Sequence, residues 1–457
     1  MLDKVLATLD GRRDQSVAAL KEFLAIPSVS TKPDHADDCR RAAQWLVDQL
    51  SHAAMEASVM ETPGHPVVVA KNRHQPGRPT VLFYGHYDVQ PPEPLELWKT
   101  PPFEPTVRDG KLFARGSSDD KGPVWAHCEA VMAWQAHGGL PVNLTMLIEG
   151  EEENASENLE AFVKQYAPDL KADVAVVSDT GQFARGVPAI TYGLRGLVYQ
   201  EVVVTGPNAD LHSGMFGGAV PNPANVLARL ISGLHDEQGR VTVEGFYDGV
   251  RDLTTDERRQ WEALPFDEAE YFRSLGIPHG SGEAGFSTLE RRWARPTLDV
   301  NGLTSGYQGH GAKTVIPSRA SAKISMRLVP DQDPQDIRNK FQRTLRERCP
   351  DNCTIEFIDH GASPPALLPI DKPEAKLAAE AVEVGFGQKP VFMREGGSIP
   401  VGALFREVLG LDTLFVGFGL PDDNLHAPNE KFDLDAFHAG RRTAAAVYAK
   451  LAELGRA

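Results

Sequence analysis

Between residues 67 and 179, short apolar runs alternate along the chain with longer segments of helical spacing. The apolar runs lie at 67–70, 80–84, 144–148 and 174–177, and the helical segments lie at 121–134 and 159–166. Such alternation predicts strands joined by crossover helices, that is, an α/β layer with parallel strands. Because chemistry in such sheets gathers at the carboxyl ends of the strands, polar residues that directly follow these runs are the first candidates for a functional site.

The sequence changes character after about residue 196. The stretch 197–204 is apolar and β-branched, and 320–328 alternates with a period near two, as half-exposed antiparallel strands do. Helices are predicted in the same stretch at 222–235 and 335–347. From residue 372 the α/β character returns, with helices predicted at 373–384 and 435–454. We therefore predict an α/β domain with a mostly parallel central sheet, made of residues 1–195 and 363–457 and interrupted by an α+β domain at 196–362.

The charge balance excludes several classes of partner. Lys and Arg number 47 and Asp and Glu number 63, so the net charge is 47 − 63 = −16. Binding to nucleic acid without sequence preference needs clustered Lys and Arg, and docking on an anionic membrane needs basic patches. A membrane span needs roughly 18 or more consecutive apolar residues, which no stretch approaches. We predict neither a nucleic-acid partner nor a membrane partner.

The N-terminal segment and the cysteines bear on where the protein is located. Residues 1–24 have the spacing of an amphipathic helix, without the apolar region and small-residue cleavage site of a secretory signal. Cysteines are sparse, and the last two lack the spacing of a CxxC redox pair or of a zinc ribbon. We therefore expect reduced thiols and a cytoplasmic protein. The four cysteines are Cys39, Cys128, Cys349 and Cys353.

Five segments carry side chains of the kind that bind metal ions, and four of them follow apolar runs. In a strand, residues i and i+2 point to the same face, so His86 and Asp88 project together, as a ligand and the carboxylate that orients it would have to. The segments are 85–88 (GHYD), 115–122 (RGSSDDKG), 149–153 (EGEEE), 178–179 (SD) and 424–426 (NLH).

Each segment also has a structural explanation when it is taken alone. The four glutamates within 149–153 fit a solvated helix start, and Asp119 and Asp120 fit a helix N-cap. Taken together, two histidines and several carboxylates at strand ends form a nitrogen and oxygen ligand set that suits Zn²⁺ or Mn²⁺. The absence of cysteine from the set favours a catalytic site with open positions.

The chain resembles the two-metal aminopeptidase-like peptidases that include cytosolic nonspecific dipeptidase, carnosinase, carboxypeptidase G and aminoacylase. TYGLRG, DLHSG, GAKTVIP and REGGSIP together point to the dipeptidase branch. The matching segments, in the family's order, are GHYDVQP (85–91), WKTPPFEP (98–105), ARGSSDDKGP (114–123), EGEEENASE (149–157), SDT (178–180), TYGLRG (191–196), DLHSG (210–214), GAKTVIP (311–317), MRLVP (326–330), REGGSIP (394–400) and LHAPNE (425–430).

The resemblance implies a zinc-aminopeptidase-like catalytic domain interrupted by a lid and dimerisation domain, and it implies a ligand set for two divalent metal ions. Zn²⁺ is the favoured metal, with Mn²⁺ or Co²⁺ as alternatives. Asp119 would bridge the two ions, and the Asp119–Asp120 peptide would be cis. The remaining ligands would be His86 and Asp179 for one ion and Glu153 and His426 for the other.

Two further roles in the same domain follow from the family pattern. Asp88 would orient His86 through its second ring nitrogen, and Glu152 would be the general base that takes a proton from a water shared by the metal ions. Because Glu151 is also acidic, chemistry alone does not distinguish this assignment from one shifted by one residue, in which Glu151 is the base and Glu152 the ligand.

The interrupting domain would complete the site. His212 resembles the family histidine that reaches across a homodimer and stabilises the oxyanion in the partner's active site. Arg327 matches the arginine that binds the carboxylate of the substrate, a task for which its planar fork is suited. Thr314, Gly397 and Ser398 match polar contacts to the substrate.

The predicted function is hydrolysis of the amide bond of dipeptides with a free C-terminal carboxylate. The alternatives within the same chemistry are a carboxypeptidase, a deacylase or desuccinylase acting on small N-acyl amino acids, and an amidohydrolase of ureido compounds. A non-catalytic relative is a further alternative, but it predicts at least one lost ligand or a lost base, and every such residue is present in this sequence.

Overall fold

The computed structural model describes residues 1–397 and 399–454 of the chain. These residues form two compact units, which are described separately below. The first unit consists of 1–192, 368–393 and 404–457, and the second of 193–367 and 394–403. Among the described residues, no helix is both long enough and apolar enough to cross a lipid bilayer.

Eighteen strands are present in the described part of the chain. They are β1 (Glu56–Met60), β2 (Val67–Lys71), β3 (Thr80–His86), β4 (Thr106–Arg108), β5 (Lys111–Phe113), β6 (Asn143–Glu149), β7 (Val174–Val177), β8 (Ala189–Leu194), β9 (Gly196–Thr205), β10 (Leu211–His212), β11 (Thr297–Ser305), β12 (Val315–Ile316), β13 (Arg319–Leu328), β14 (Thr354–Ser363), β15 (Ala366–Leu367), β16 (Val391–Glu395), β17 (Thr413–Val416) and β18 (Lys431–Asp433).

Fourteen α-helices accompany these strands in the described residues. They are α1 (Leu2–Gly11), α2 (Arg13–Leu24), α3 (Ala36–His52), α4 (Lys121–Gln135), α5 (Leu159–Gln165), α6 (Ser213–Phe216), α7 (Pro223–Ser232), α8 (Thr255–Glu262), α9 (Glu268–Ser274), α10 (Thr288–Trp293), α11 (Pro334–Arg348), α12 (Pro373–Phe386), α13 (Pro400–Leu404) and α14 (Leu434–Leu451).

The first unit is built on a central sheet with the order β1-β2-β6-β3-β7-β17-β8. Its middle strands β6, β3, β7 and β17 are parallel to one another, in agreement with the predicted α/β class. Strands β6 and β7 are buried along their whole length, which explains why their sequences are continuous apolar runs without alternation. The carboxyl ends of the four parallel strands therefore meet at one edge of the sheet.

The structure corrects the expected strand direction of one apolar run outside this middle. The apolar run 67–70 lies in β2, which pairs with β6 in an antiparallel manner, and β8 is antiparallel to β17. The sheet is thus mixed. A run such as Val-Val-Val-Ala is buried equally well in either direction, so its composition carries no information about strand direction.

Helices cover the sheet of the first unit and form its main core. Helix α4 is buried over almost its entire length, and α14 packs against both α4 and α12. The amphipathic segment expected over residues 1–24 is divided into α1 and α2, which meet at Arg12, where φ is −112° and ψ is 19°. Gly11 and the non-helical backbone of Arg12 end the first helix.

The second unit contains a four-stranded antiparallel sheet with the order β11-β13-β9-β14. Strands β9 and β13 alternate buried and partly exposed residues, as predicted for half-exposed strands. Helices α7 and α11 bury one face each against this sheet, and both begin with a proline after a capping side chain, Asn222 and Asp333 respectively.

The units differ from the sequence-predicted boundaries in three places. The interrupting domain was expected to begin at residue 196, but the second unit begins at Gly193, within β8. The interrupting domain was expected to end at residue 362, but β14 continues to Ser363 and the second unit continues to residue 367. Residues 394–403 also group with the second unit, although the sequence assigned them to the other domain. In that unit, Arg195 Nε donates a hydrogen bond to the backbone oxygen of Gly396 at 3.1 Å, which links the segment to the start of β9.

Candidate metal centre

The predicted metal ligands of the first unit converge at the carboxyl edge of its parallel strands. His86 is the last residue of β3, and Asp179 follows the end of β7. Glu153 lies in a short 3₁₀ turn, Glu152–Asn154, that follows β6. Asp119 precedes α4, and His426 lies in the loop between β17 and β18. Five segments that are distant in sequence therefore contribute to one edge of the sheet.

Asp119 stands between the two histidines and faces each with a different oxygen. Its Oδ1 lies 3.1 Å from His86 Nε2, and its Oδ2 lies 3.0 Å from His426 Nε2. The Asp119–Asp120 peptide is cis, as the resemblance implied. A carboxylate whose two oxygens face two separate nitrogen ligands has the arrangement that a bridging ligand requires.

The spacing of the donor atoms fits two metal ions. One group is His86, Asp119 and Asp179, the other is Asp119, Glu153 and His426, and within each group the donor atoms lie within 4.8 Å of one another. His86 Nε2 is 3.9 Å from Asp179 Oδ2, and His426 Nε2 is 3.3 Å from Glu153 Oε1. Ligand atoms held tetrahedrally at about 2.0–2.1 Å from Zn²⁺ stand roughly 3.3–3.4 Å apart, so these separations suit a divalent cation.

Asp88 organises the surroundings of both groups from a fully buried position. His86 Nδ1 lies 3.1 Å from the backbone oxygen of Asp88 and 3.4 Å from its Oδ1, so the backbone oxygen makes the shorter contact. The Asp88 carboxylate also accepts hydrogen bonds from the backbone N–H groups of Glu152 at 3.2 Å and Glu153 at 3.0 Å. Its Oδ2 accepts a further bond from Ser30 Oγ at 2.6 Å. With Nδ1 occupied in this way, Nε2 of His86 is directed to the carboxylates.

The three consecutive glutamates of the 149–153 segment have different surroundings. Glu151 is buried, and its two oxygens accept hydrogen bonds from the backbone N–H of His65 at 3.1 Å and from Asn158 Nδ2 at 2.8 Å. Glu153 is directed to His426, and its Oε2 also accepts from Gln90 Nε2 at 2.7 Å. Glu151 thus takes part in holding the turn, while Glu153 takes part in the cluster.

Burial and crowding of charge perturb the acids and histidines of the cluster. Burial, together with the negative charges of Glu153 and Asp119, raises the pKa of Glu152 to about 7. Hydrogen bonds to Asp119 and then Glu153 raise the pKa of His426 to about 10. Burial and then Asp119 raise the pKa of Asp179 well above its ordinary value. In the absence of cations, the cluster therefore stores protons that divalent ions would replace.

In the second unit, the structure brings His212 and Thr314 together. His212 pairs with Val315 across β10 and β12, and the backbone oxygen of Thr314 accepts a hydrogen bond from the N–H of Ser213 at 3.1 Å. His212 is exposed, and its Nδ1 accepts a hydrogen bond from the backbone N–H of Gly214 at 3.0 Å. A neutral ring that accepts at Nδ1 carries its proton on Nε2, which is then a donor.

The other predicted residues of the second unit have less defined surroundings. Arg327 lies on β13, where burial lowers its pKa and Asp299 opposes that shift. Gly397 is exposed, with open space where a Cβ would stand. Ser398 lies outside the described residues. Arg195, in the TYGLRG segment, was missed by the sequence reasoning: burial and then the neighbouring Arg327 lower its pKa to about 10.

A second residue missed from the sequence is Glu430, the last residue of the LHAPNE segment. It is fully buried and accepts hydrogen bonds from the loop that precedes Asp119. The signal that could have found it is its place four residues after His426 in a segment already matched to the family. Without the family match, a glutamate in this loop would be predicted to be exposed to solvent.

Comparison with known proteins identifies the family to which this arrangement belongs. Residues 82–450 match the peptidase family M20/M25/M40. The Cys-Gly metallodipeptidase dug1 of Schizosaccharomyces pombe is 34% identical over 460 residues, which cover 96% of each chain. The crystal structure of human carnosine dipeptidase 1 matches with a TM-score of 0.86 and 32% identity, covering 99% of both chains. The family M20 metallo-carboxypeptidase Sso-CP2 from Sulfolobus solfataricus matches with a TM-score of 0.86 and 34% identity, covering 96% of this chain and 99% of that one. The chain therefore belongs to peptidase family M20/M25/M40, in its dipeptidase branch, and is a metallopeptidase.

Proposed function

We propose that this metallopeptidase hydrolyses the amide bond of dipeptides that end in a free carboxylate. The observation that carries the proposal is Asp119, whose two oxygens face His86 and His426 within two adjoining groups of metal-type ligands. The relatives supply the substrate class, since one is named a Cys-Gly metallodipeptidase and another a carnosine dipeptidase. A dipeptide presents a single amide bond to such a centre.

The ligands in this proposal are His86, Asp119 and Asp179 for one ion and Asp119, Glu153 and His426 for the other. Two divalent cations bound there would activate water as a nucleophile near neutral pH and polarise the amide carbonyl. Zn²⁺ fits the mixed nitrogen and oxygen donors best, and Mn²⁺ or Co²⁺ would fit the same set.

Glu152 is the general base in this proposal. Its backbone N–H is held by Asp88, and burial together with neighbouring acids raises its pKa to about 7. A carboxylate with a pKa near the working pH takes a proton from the attacking water and returns it to the leaving amine with little cost in either direction. Bound cations would lower this pKa and favour the ionised form that accepts the proton.

The second unit supplies substrate recognition and oxyanion stabilisation. His212 has an Nε2 proton to donate to a developing oxyanion, because its Nδ1 already accepts from Gly214. Arg327 would bind the substrate carboxylate through its planar fork, and Thr314, Gly397 and Ser398 would contact the substrate. Arg195, whose pKa is lowered by burial and then by the neighbouring charge of Arg327, adds positive potential to the same region of that unit.

A homodimer formed through the second unit is part of the proposal. Strand β11 is an edge of the four-stranded sheet, and it exposes Val300 at 42% and Leu303 at 61%. An edge strand with exposed apolar side chains pairs readily with a second copy of the same strand. We also propose a cytoplasmic location, which is supported by the four free cysteines among the described residues.

A carboxypeptidase is the second candidate, because Sso-CP2 is named a metallo-carboxypeptidase and is as similar as the dipeptidases. The two candidates differ in the length of substrate accepted. A deacylase or desuccinylase acting on small N-acyl amino acids would use the same ligands and the same base.

The decisive experiment is a substrate panel measured before and after removal of metal. We expect rapid hydrolysis of unblocked dipeptides such as Cys-Gly and β-alanyl-histidine, slower hydrolysis of N-acyl amino acids and longer peptides, and loss of all activity after exhaustive chelation. Activity should return on addition of Zn²⁺, Mn²⁺ or Co²⁺. Release of C-terminal residues from tripeptides at the dipeptide rate would favour the carboxypeptidase, and activity that survives chelation would contradict the metal mechanism.

A further inference from the structure

Glu430 is a buried carboxylate whose contacts converge on one short loop. Its Oε2 accepts hydrogen bonds from Arg115 Nη1 at 2.7 Å and from the backbone N–H of Gly116 at 2.9 Å. Its Oε1 accepts from the backbone N–H groups of Ser118 at 3.0 Å and Asp119 at 3.2 Å. Both oxygens are therefore occupied by donors, and the side chains of Glu430 and Arg115 are each only 1% exposed.

The loop held by Glu430 leads directly into the bridging position of the metal centre. The N–H of Asp119 is itself one of the four donors, so the carboxylate fixes the backbone of that residue. The main chain contributes as well, because the backbone oxygen of Glu430 accepts a hydrogen bond from the N–H of Ala114 at 3.2 Å. One residue thus binds the segment 114–119 from its first residue to its last.

The same residue also fixes the loop that carries His426. Three residues of this loop that are not glycine adopt left-handed backbone conformations: Asn424 with φ 56°, His426 with φ 59° and Asn429 with φ 63°. Such conformations are sparsely populated and persist where the surrounding contacts hold them. Glu430 ends this stretch, so its anchored side chain limits the positions available to His426.

A second contact between the two loops supports the first. Ser118 Oγ donates a hydrogen bond to Asp423 Oδ2 at 2.8 Å, and the same oxygen accepts from the backbone N–H of Leu420 at 2.7 Å. Asp423 is thereby fixed at the start of the loop and Glu430 at its end. The loop that carries His426 is therefore bound to the loop of Asp119 at both of its ends.

We propose that Glu430 is a positioning residue of the metal centre, which sets the distance between the bridging carboxylate of Asp119 and the imidazole of His426. In this proposal it contacts neither a metal ion nor the substrate, because both of its carboxylate oxygens are occupied by donors of the loop. It acts on the metal affinity of the site that Asp119, Glu153 and His426 form, and this inference rests on the ligand assignment of the proposed function. Residues that orient metal ligands typically change metal affinity by about 10- to 100-fold when they are altered.

A buried ion pair elsewhere in the same unit provides a matched control. Glu129 on α4 contacts Arg441 on α14 at 2.9 Å, and the two side chains are 2% and 1% exposed. Loss of charge from this glutamate also disrupts a buried pair, but both members lie within helices and neither belongs to the loops 114–119 and 423–430. A comparison of E430Q with E129Q therefore separates positioning of the metal centre from general loss of stability.

The test measures Zn²⁺ affinity of the full-length variants by competition with a chromophoric chelator, beside thermal unfolding of the metal-free proteins. In E430Q, the amide NH₂ would face two donors whichever oxygen it replaces: the N–H groups of Ser118 and Asp119, or Arg115 Nη1 and the N–H of Gly116. We therefore expect Zn²⁺ affinity at one site to fall by about 10- to 100-fold. E129Q should lower the unfolding temperature without changing Zn²⁺ affinity. If E430Q does not fold, E430D, which keeps the charge but is one methylene shorter, is compared in the same way and should show a smaller loss in the same direction.

H426A is measured beside these variants so that two different failures can be distinguished. If H426A loses one site while E430Q keeps wild-type affinity, or while E430Q and E129Q lose affinity equally, the positioning role of Glu430 is wrong and the ligand assignment stands. If H426A binds two Zn²⁺ ions as tightly as the wild type, the ligand assignment fails, and the inference about Glu430 fails with it.

Discussion

At the scale of single residues, the centre is governed by how closely its acids and histidines crowd. Asp119 contacts both His86 and His426, and these contacts raise the pKa of each imidazole although burial acts in the opposite direction. The same imidazoles hold the pKa of Asp119 well below its usual range, despite its burial. Without cations, the two histidines therefore act as the positive charges that the carboxylates require.

Because protons on the histidines take the place of metal ions in the metal-free protein, metal binding should depend on pH. With a pKa of about 10, the metal-free His426 is protonated at pH 7, whereas a metal ligand must be the neutral imidazole. Zn²⁺ binding should therefore release at least one proton, and affinity should rise about tenfold per pH unit for each proton released, up to about pH 10. Calorimetry in buffers of different ionisation enthalpy measures this release. A binding heat that does not depend on the buffer at pH 7 would contradict the prediction.

At the scale of elements, the sequence predicted where the strands end better than it predicted the directions of the strands in the sheet. The fully buried runs that became β3, β6 and β7 identified where the polar ligands would lie, since parallel strands end at a common edge. The direction of β2 was not predictable, because an apolar run is equally buried in either direction. Glu430 was missed for a related reason: its donors come from a loop more than 300 residues away in sequence, which no local pattern records.

The two glutamate registers that the sequence left open predict different effects for two matched variants in the turn after β6. In E151Q, the retained Oε1 still accepts from the N–H of His65, and the amide of Asn158 can rotate to pair with the new NH₂, so stability and turnover should change little. E152Q removes the proposed base and should lower kcat by about 10²- to 10⁴-fold with two metal ions still bound. Steady-state kinetics and metal analysis of both proteins check this. A large loss of kcat in E151Q would favour the other register.

At the scale of the whole molecule, the sequence indicated two domains, one of them made of two separate segments of the chain. The structure has two units of this kind, but both boundaries of the second unit are shifted and residues 394–403 group with it. This segment is rich in glycine and has no helical or strand periodicity, so its sequence does not reveal to which unit it belongs. The net charge of −16 is explained only in part by the metal centre, where two divalent cations would offset four of the negative charges of five acids. These are Asp88, Asp119, Glu152, Glu153 and Asp179.

Formation of a homodimer is a property of the whole molecule, and the proposal places the dimer interface at the edge strand β11. We expect the wild type to be a dimer and L303K to be a monomer, because a lysine on this edge would place like charges on facing strands. L275K is the matched control, since Leu275 is 56% exposed and Leu303 is 61% exposed, but Leu275 follows α9 and is not part of the four-stranded sheet. Sedimentation velocity should give a dimer for L275K and a monomer for L303K. Because His212 would act in the partner's site, the L303K monomer should retain its metal ions and lose turnover to the extent that H212A does. A wild type that sediments as a monomer, or an L303K variant that remains dimeric and active, would exclude β11 as the dimer interface.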